Sequence, residues 1–220
     1  MESKNTRRIN TGNISYSEIS DNSIWGLEET VTSDLIDNSK ISGRWLNLCA
    51  GDGRFNNRLL RRVDELIAVD LDENALGKLI RIVPEELRRK LATKTVDVTK
   101  TLPFQDEEFD GILCVGSLHL FPKQVFKKIQ KEMERTVKSK GLIIIDFATN
   151  IKRTFPDGSL GIVDGEPSYT LQEAEELLRA SFKNFQLKMI TDTSVPEKIE
   201  FNGQTYVFTC DFIVLSAIKE

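Results

Sequence analysis

Residues 46–53 read Leu-Asn-Leu-Cys-Ala-Gly-Asp-Gly, a short apolar run that breaks into a glycine turn. A second apolar run, Leu66-Ile67-Ala68-Val69, ends on the carboxylate Asp70. A buried strand, a glycine turn, a helix and a second strand closed by an acid form the unit with which an α/β sheet grips a nucleoside. Glycine lets the backbone pass close to a ligand, and the carboxylate accepts hydrogen bonds from both ribose hydroxyls. This arrangement constrains the fold to a sheet of strands joined by helices, with a ligand site at one edge.

The rest of the chain alternates in the same way. Strands are predicted near 44–49, 65–70, 93–97, 109–115 and 142–147. Helices follow the glycine turn (Phe55, Leu59, Leu60 and Val63 inward), then Asp72 as N-cap, then Lys123 to Val137. Pro84 divides the second of these helices from a short one ending at Leu91. Alternation of this kind means a parallel sheet with helices on both faces. A helix is also predicted over 23–38, carrying Ile24, Leu27, Val31, Leu35 and Ile36 on one face. After residue 147 the pattern changes. Residues 148–168 hold Pro156, Asp157-Gly158, Gly161, Gly165 and Pro167 and read as irregular. Thr170 and Glu173 form a capping box that starts another helix. A strand follows over 185–190. Asn202-Gly203 marks a hairpin, and Phe212 to Leu215 closes the chain as an apolar strand. Two late strands without a crossover helix predict an antiparallel edge.

The 220 residues suit one domain with a full core. Residues 1–30 read as an N-terminal arm or lid with the start of the first helix, and 31–220 as the domain proper. Net charge is −4, so no global basic field favours nucleic acid. Three scattered cysteines and a single histidine provide no structural zinc site, and no metal is expected. The free thiols and the lack of any apolar stretch of membrane-spanning length predict a cytoplasmic protein with no membrane association.

Taken together, these residues resemble the class I S-adenosylmethionine-dependent methyltransferases, the small-molecule branch called type 11. The resemblance covers roughly 40–217 and rests on five motifs in order. They are Leu46 to Gly53, Asp70, Asp97-Val98 with Leu102-Pro103-Phe104 ahead of Phe109-Asp110, the fourth strand and its exit from Ile112 to Phe121 with the pair Leu118-His119, and Val137 to Gly141. The fold implied is Rossmann-like, three layers α/β/α, with a seven-stranded, mostly parallel sheet and an antiparallel C-terminal strand. The cofactor implied is S-adenosylmethionine, leaving S-adenosylhomocysteine as product, and the partner implied is a small-molecule methyl acceptor.

The resemblance also assigns roles. Asp70 would take the ribose hydroxyls, while Asn47, Cys49, Ala50, Gly51 and Gly53 would form the loop beside the amino-acid tail. Leu71 and Val98 would sandwich the adenine, and Asp97 would accept from its exocyclic amine. Val115, Gly116 and Ser117 would face the methionine tail. Asn47 stands where the family carries an acid, and Cys49 where it carries the first glycine of its triplet. His119, just past the fourth strand, is the candidate base for an acceptor that must lose a proton. Asp146, Tyr16, Trp25 and Tyr169 are further candidates for the acceptor side.

Three rival readings remain. A nicotinamide-dependent oxidoreductase would need a third glycine where Asn56 stands, and Asp52 sets a negative charge where its pyrophosphate would lie. A nucleic-acid methyltransferase is disfavoured by the acidic balance and the absence of an aromatic-Pro-aromatic tetrad. A degenerate, non-catalytic binding or regulatory subunit draws on Asn47 and Cys49. The methyl acceptor and the oligomeric state are left open by the sequence.

Overall fold

The computed structural model describes residues 6–9, 16, 23, 30–194 and 196–220. Ile24, Trp25 and Leu27 lie outside the described residues. The helices are α1 (Thr30–Asn38), α2 (Asn56–Leu60), α3 (Glu73–Ile82), α4 (Glu85–Arg88), α5 (Lys123–Thr136) and α6 (Leu171–Ser181). The strands are β1 (Thr6–Arg8), β2 (Arg44–Leu48), β3 (Glu65–Asp70), β4 (Leu91–Thr95), β5 (Phe109–Cys114), β6 (Val137–Thr154), β7 (Leu160–Ile162), β8 (Phe185–Thr193), β9 (Glu197–Phe201) and β10 (Gln204–Lys219).

Seven of these strands run in the order β4-β3-β2-β5-β6-β10-β8. From β4 to β6 every neighbouring pair is parallel, and β10 is antiparallel to both β6 and β8. The antiparallel strand is therefore inserted inside the sheet, and the edge is β8. Strand alternation splits the core between two layers. Leu46, Leu48, Ile67, Val69, Ile112 and Ile143 point to the side covered by α5 and α6. Trp45, Leu66, Ala68, Leu113 and Ile144 point to the side covered by α1, α2 and α3. Burial on both faces is why these strands are nearly all apolar.

Close packing across the sheet is tightest at Gly111, which pairs with Trp45 on the adjacent strand. A Cβ at Gly111 would lie 2.3 Å from the indole carbons Cε2 and Cζ2. That indole is buried and donates from Nε1 to the Ser42 carbonyl at 3.0 Å, so it is held in place. Gly111→Ala is expected to cost about 3 kcal/mol through overpacking. A urea titration should show a lower midpoint with an unchanged slope.

Two sequence expectations are corrected by long-range pairing. Residues 148–154, expected to be irregular, continue β6, and 160–162 form β7. The N-terminal arm contributes a strand, because Thr6 to Arg8 pair in parallel with Leu160 to Ile162. With β9, these pieces extend the sheet to ten strands around a small apolar cluster of Ile9, Phe155 and Tyr206. The pairing slips between Thr209–Lys152 and Asp211–Thr149, so Asn150 and Ile151 of β6 stand opposite the single Cys210 and the bulge lies on β6. Within it, Asn150 adopts a left-handed φ of 50° and donates from Nδ2 to Asp211 at 2.7 Å. The paired strands bend here, and the extension rises beside the carboxyl ends of β2 and β5.

Candidate active site

A cavity of about 440 Å³ opens at the carboxyl ends of β2, β3 and β5. The chain leaves β2 toward β3 on one side, while β5 lies on the other. This is the switch point at which open α/β sheets bind ligands. Cys49, Ala50, Gly51 and Asp52 form one wall, Val115, Gly116 and Ser117 the facing one.

The glycine turn is held by the acid of the neighbouring strand. Asp70 accepts from the Gly51 amide at 2.8 Å with Oδ2 and from the Asp72 amide at 3.0 Å with Oδ1. Asp72 in turn caps α3 by accepting from the Asn74 amide at 2.9 Å. The Asp70 carboxylate keeps lone pairs for a ligand and lies on the cavity wall. Gly51 takes a φ of 52° and Cys49 one of 53°, a conformation that glycine adopts freely and a side-chain-bearing residue only under strain. The Cys49 thiol contacts Cys114, and that hydrogen bond together with burial pushes the Cys114 thiol well above its ordinary range.

Asn47 also reaches the cavity wall, but its amide is spent inward. It is 3% exposed and donates from Nδ2 to Asn56 Oδ1, the first residue of α2, at 2.5 Å. Gly53 does not line the cavity. A Cβ there would lie 2.9 Å from Leu79 Cγ, so this glycine serves the packing of the loop on α3. Asp97, Val98 and Leu71 also lie off the cavity wall. Asp97 accepts from the Thr99 amide and hydroxyl at 2.9 and 2.6 Å, which lowers its pKa, and Val98 is buried. Leu71 is 69% exposed on the shelf beside Asp70.

Asp52, expected to repel phosphate, has its charge matched. It is 0% exposed and pairs at 2.9 Å with Lys78 of α3, itself 2% exposed. The Ser23 hydroxyl adds a bond to the other Asp52 oxygen at 2.6 Å. The charge argument against a pyrophosphate ligand thus does not carry over to the folded protein, whereas Asn56 still stands in place of the third glycine.

On the far side of the cavity, Asp146 of β6 accepts from the Gly116 amide at 2.6 Å and fixes the turn after β5. His119 lines the cavity from a single helical turn, Leu118–Leu120. Burial lowers its pKa to about 4. Tyr169 packs edge-on against Phe147 and donates its hydroxyl to the Phe121 carbonyl at 2.7 Å, a structural role.

Several wall residues escaped the sequence reading. Arg54 lies over the Phe55 ring at 4.9 Å and comes within 3.5 Å of the position a Cβ would take at Gly116. Ser194, Glu197, Phe208, Cys210 and Phe212 come from the β8–β9 segment and β10, whereas Tyr16 of the arm, already a candidate, lines the same cavity. Arg54 directly follows the glycine turn, a local signal that was available. The β10 residues arrive through a strand pairing that no local pattern encodes.

Residues 46–141 match a family model described as a methyltransferase domain. The fold is that of the class I methyltransferases. A Bacillus subtilis protein, YcgJ, superposes with a TM-score of 0.65 at 16% identity, over 87% of this chain and 99% of that one. DhpI in complex with SAH superposes with a TM-score of 0.57 at 18% identity, over 84% and 80%. An uncharacterized protein of Haemophilus influenzae is 38% identical over 77 residues. That match spans 34% of this chain and 30% of the relative's length. Within this methyltransferase fold the cavity occupies the same edge of the sheet as the glycine turn and Asp70. Among the described residues, no helix is long and apolar enough to cross a membrane, and no group of side chains could hold a metal ion.

Proposed function

We propose that this protein transfers a methyl group from S-adenosylmethionine to a small-molecule acceptor. The observation that carries the reading is Asp70. It is a cavity-lining carboxylate at the end of β3, bonded to the Gly51 amide of the turn after β2. That juxtaposition fits a ribose against the acid and an amino-acid tail against the glycine turn. The exposed Leu71 fits an adenine on the open shelf beyond, with Val98 and Asp97 as its further proposed contacts.

When bound, the cofactor supplies an electrophilic methyl on a sulfonium. The protein's part is to hold and to exclude. Asp70 accepts from the ribose hydroxyls. Asn47, Cys49, Ala50 and Gly51 line the tail, with Gly53 supporting their turn from behind. Val115, Gly116 and Ser117 face the tail across the cavity, and the Arg54 guanidinium suits its carboxylate. Phe208, Phe212, Ala148 and Tyr16 wall the remaining space, where an acceptor would be shielded from water. Alignment and desolvation supply most of the acceleration in such a displacement.

The test is a calorimetric titration of S-adenosylhomocysteine into the wild-type protein. Micromolar binding, about −8 kcal/mol, is expected. A folded protein that takes up none would overturn the reading. The inward-turned Asn47 and the strained Cys49 would then mark a fold kept for partner binding without catalysis.

A further inference from the structure

We infer that His119 meets the methyl acceptor as a hydrogen-bond donor through Nε2, and that it orients the acceptor instead of deprotonating it. The inference rests on the methyltransferase reading above and concerns how that site handles its second substrate. The histidine ring forms part of the cavity wall and packs edge-on against Phe147, with centroids 6.2 Å apart. Its Nδ1 is sealed from solvent and has no hydrogen-bond partner. Nε2 is therefore the nitrogen through which the ring meets the cavity.

A neutral imidazole carries one proton, on either nitrogen. With the proton on Nδ1, a buried N–H would point at no acceptor, which folded proteins rarely tolerate. With the proton on Nε2, the sealed atom is a lone pair, a milder loss, and an N–H faces the cavity. A base would need the reverse arrangement, with its lone pair on Nε2. The charged groups acting on the ring are Glu166 and Arg153. They pair with each other through two bonds of 2.6 and 2.7 Å, so their effects on the ring oppose one another. Burial then keeps the ring neutral through the physiological range.

The acceptor chemistry follows. The molecule carries a lone-pair atom for Nε2–H beside a nucleophile that needs no imidazole base. Asp70, Asp72, Asp146 and Glu197 line the same cavity against Arg54, so an uncharged or cationic molecule fits better than an anion. A neutral amine that carries a second lone-pair atom, such as a hydroxyl or carbonyl oxygen, satisfies both conditions. The oxygen accepts from Nε2–H while the nitrogen lone pair forms the new C–N bond as the methyl–sulfur bond breaks, and the product ammonium sheds its proton to water.

His119 is the one histidine in the chain, so ¹⁵N-histidine labelling reports on it alone. Two-dimensional ¹⁵N–¹H spectra between pH 3.5 and 8 are expected to show a neutral Nε2–H tautomer, with protonation centred at about 4. An Nδ1–H tautomer, or titration at the ordinary imidazole position, would overturn the inference. This measurement needs no cofactor, so its failure is distinct from a failure to bind S-adenosylhomocysteine.

A second measurement separates a donor that touches the acceptor from a packed ring. Methyl transfer from S-adenosylmethionine would be followed across a panel of primary amines, phenols and carboxylic acids at millimolar concentration. His119→Gln, which keeps an N–H, should hold kcat within tenfold for the amine that turns over, with the wild-type pH profile. His119→Phe should raise KM at least tenfold. A kcat loss of a thousandfold in both variants, with the pH dependence gone, would make His119 the base. Turnover of phenols alone would equally defeat the proposal.

Discussion

Replacing Asp70 by alanine is expected to abolish S-adenosylhomocysteine binding while leaving the protein folded. The carboxylate does two things at once. It presents lone pairs to the cavity, and it ties the Gly51 and Asp72 amides to the end of β3. Alanine removes the ribose acceptor and releases the turn, so both the contact and its pre-organisation are lost. The affinity should fall at least a hundredfold, about 2.7 kcal/mol. Asparagine keeps one acceptor oxygen but turns a donor toward a backbone amide, so Asp70→Asn should fall between the two. Because Asp70 is only partly buried, thermal unfolding of Asp70→Ala should stay close to the wild type. Unchanged affinity in a folded variant would remove Asp70 from the ligand site.

The largest expected effect on stability comes from Lys78→Met. Lys78 and Asp52 are both sealed from water and 2.9 Å apart. Removing the ammonium leaves a carboxylate in a site too dry to solvate it, with the Ser23 hydroxyl as a remaining donor. Breaking a buried pair from one side typically costs 3–5 kcal/mol. For a chain of this length, about 4 kcal/mol lowers Tm by on the order of 10 °C. The double variant Asp52→Asn, Lys78→Met removes both charges and keeps a partner for Ser23, so it should recover most of the loss. If Lys78→Met unfolds within 1 kcal/mol of the wild type, the pair is not buried in solution. The pair joins the glycine turn to α3, and Ser23 joins the arm to the same pair. A weakened variant should therefore also lose ligand affinity.

How far the sequence could be read depended on whether a feature was local. The glycine turn, Asp70, the Asp72 cap and the Thr170–Glu173 capping box all sit where expected, because each is made by residues within a few positions of one another. The parallel order of the central strands was legible because alternating strands and helices admit few topologies. Residues 148–154 were not legible. Alone they are polar and short of apolar side chains, and they are strand only because β10 pairs with them. Thr6 to Arg8 depend in the same way on β7, more than 150 positions away.

The site divides along the same line. The half proposed for the cofactor is built from residues close in sequence around β2 and β3, so its candidates could be named, although packing decided their uses. Gly53 faces Leu79, and Asn47 turns to Asn56. The half proposed for the acceptor exists only after β10 folds back, bringing Phe208, Cys210 and Phe212 into the cavity that His119 lines. Local order along the chain determined the class of fold and the type of ligand that its glycine turn admits. Burial and long-range pairing decided which charge is cancelled, which histidine nitrogen is sealed from solvent, and what walls the far side of the cavity, since those depend on neighbours distant in sequence.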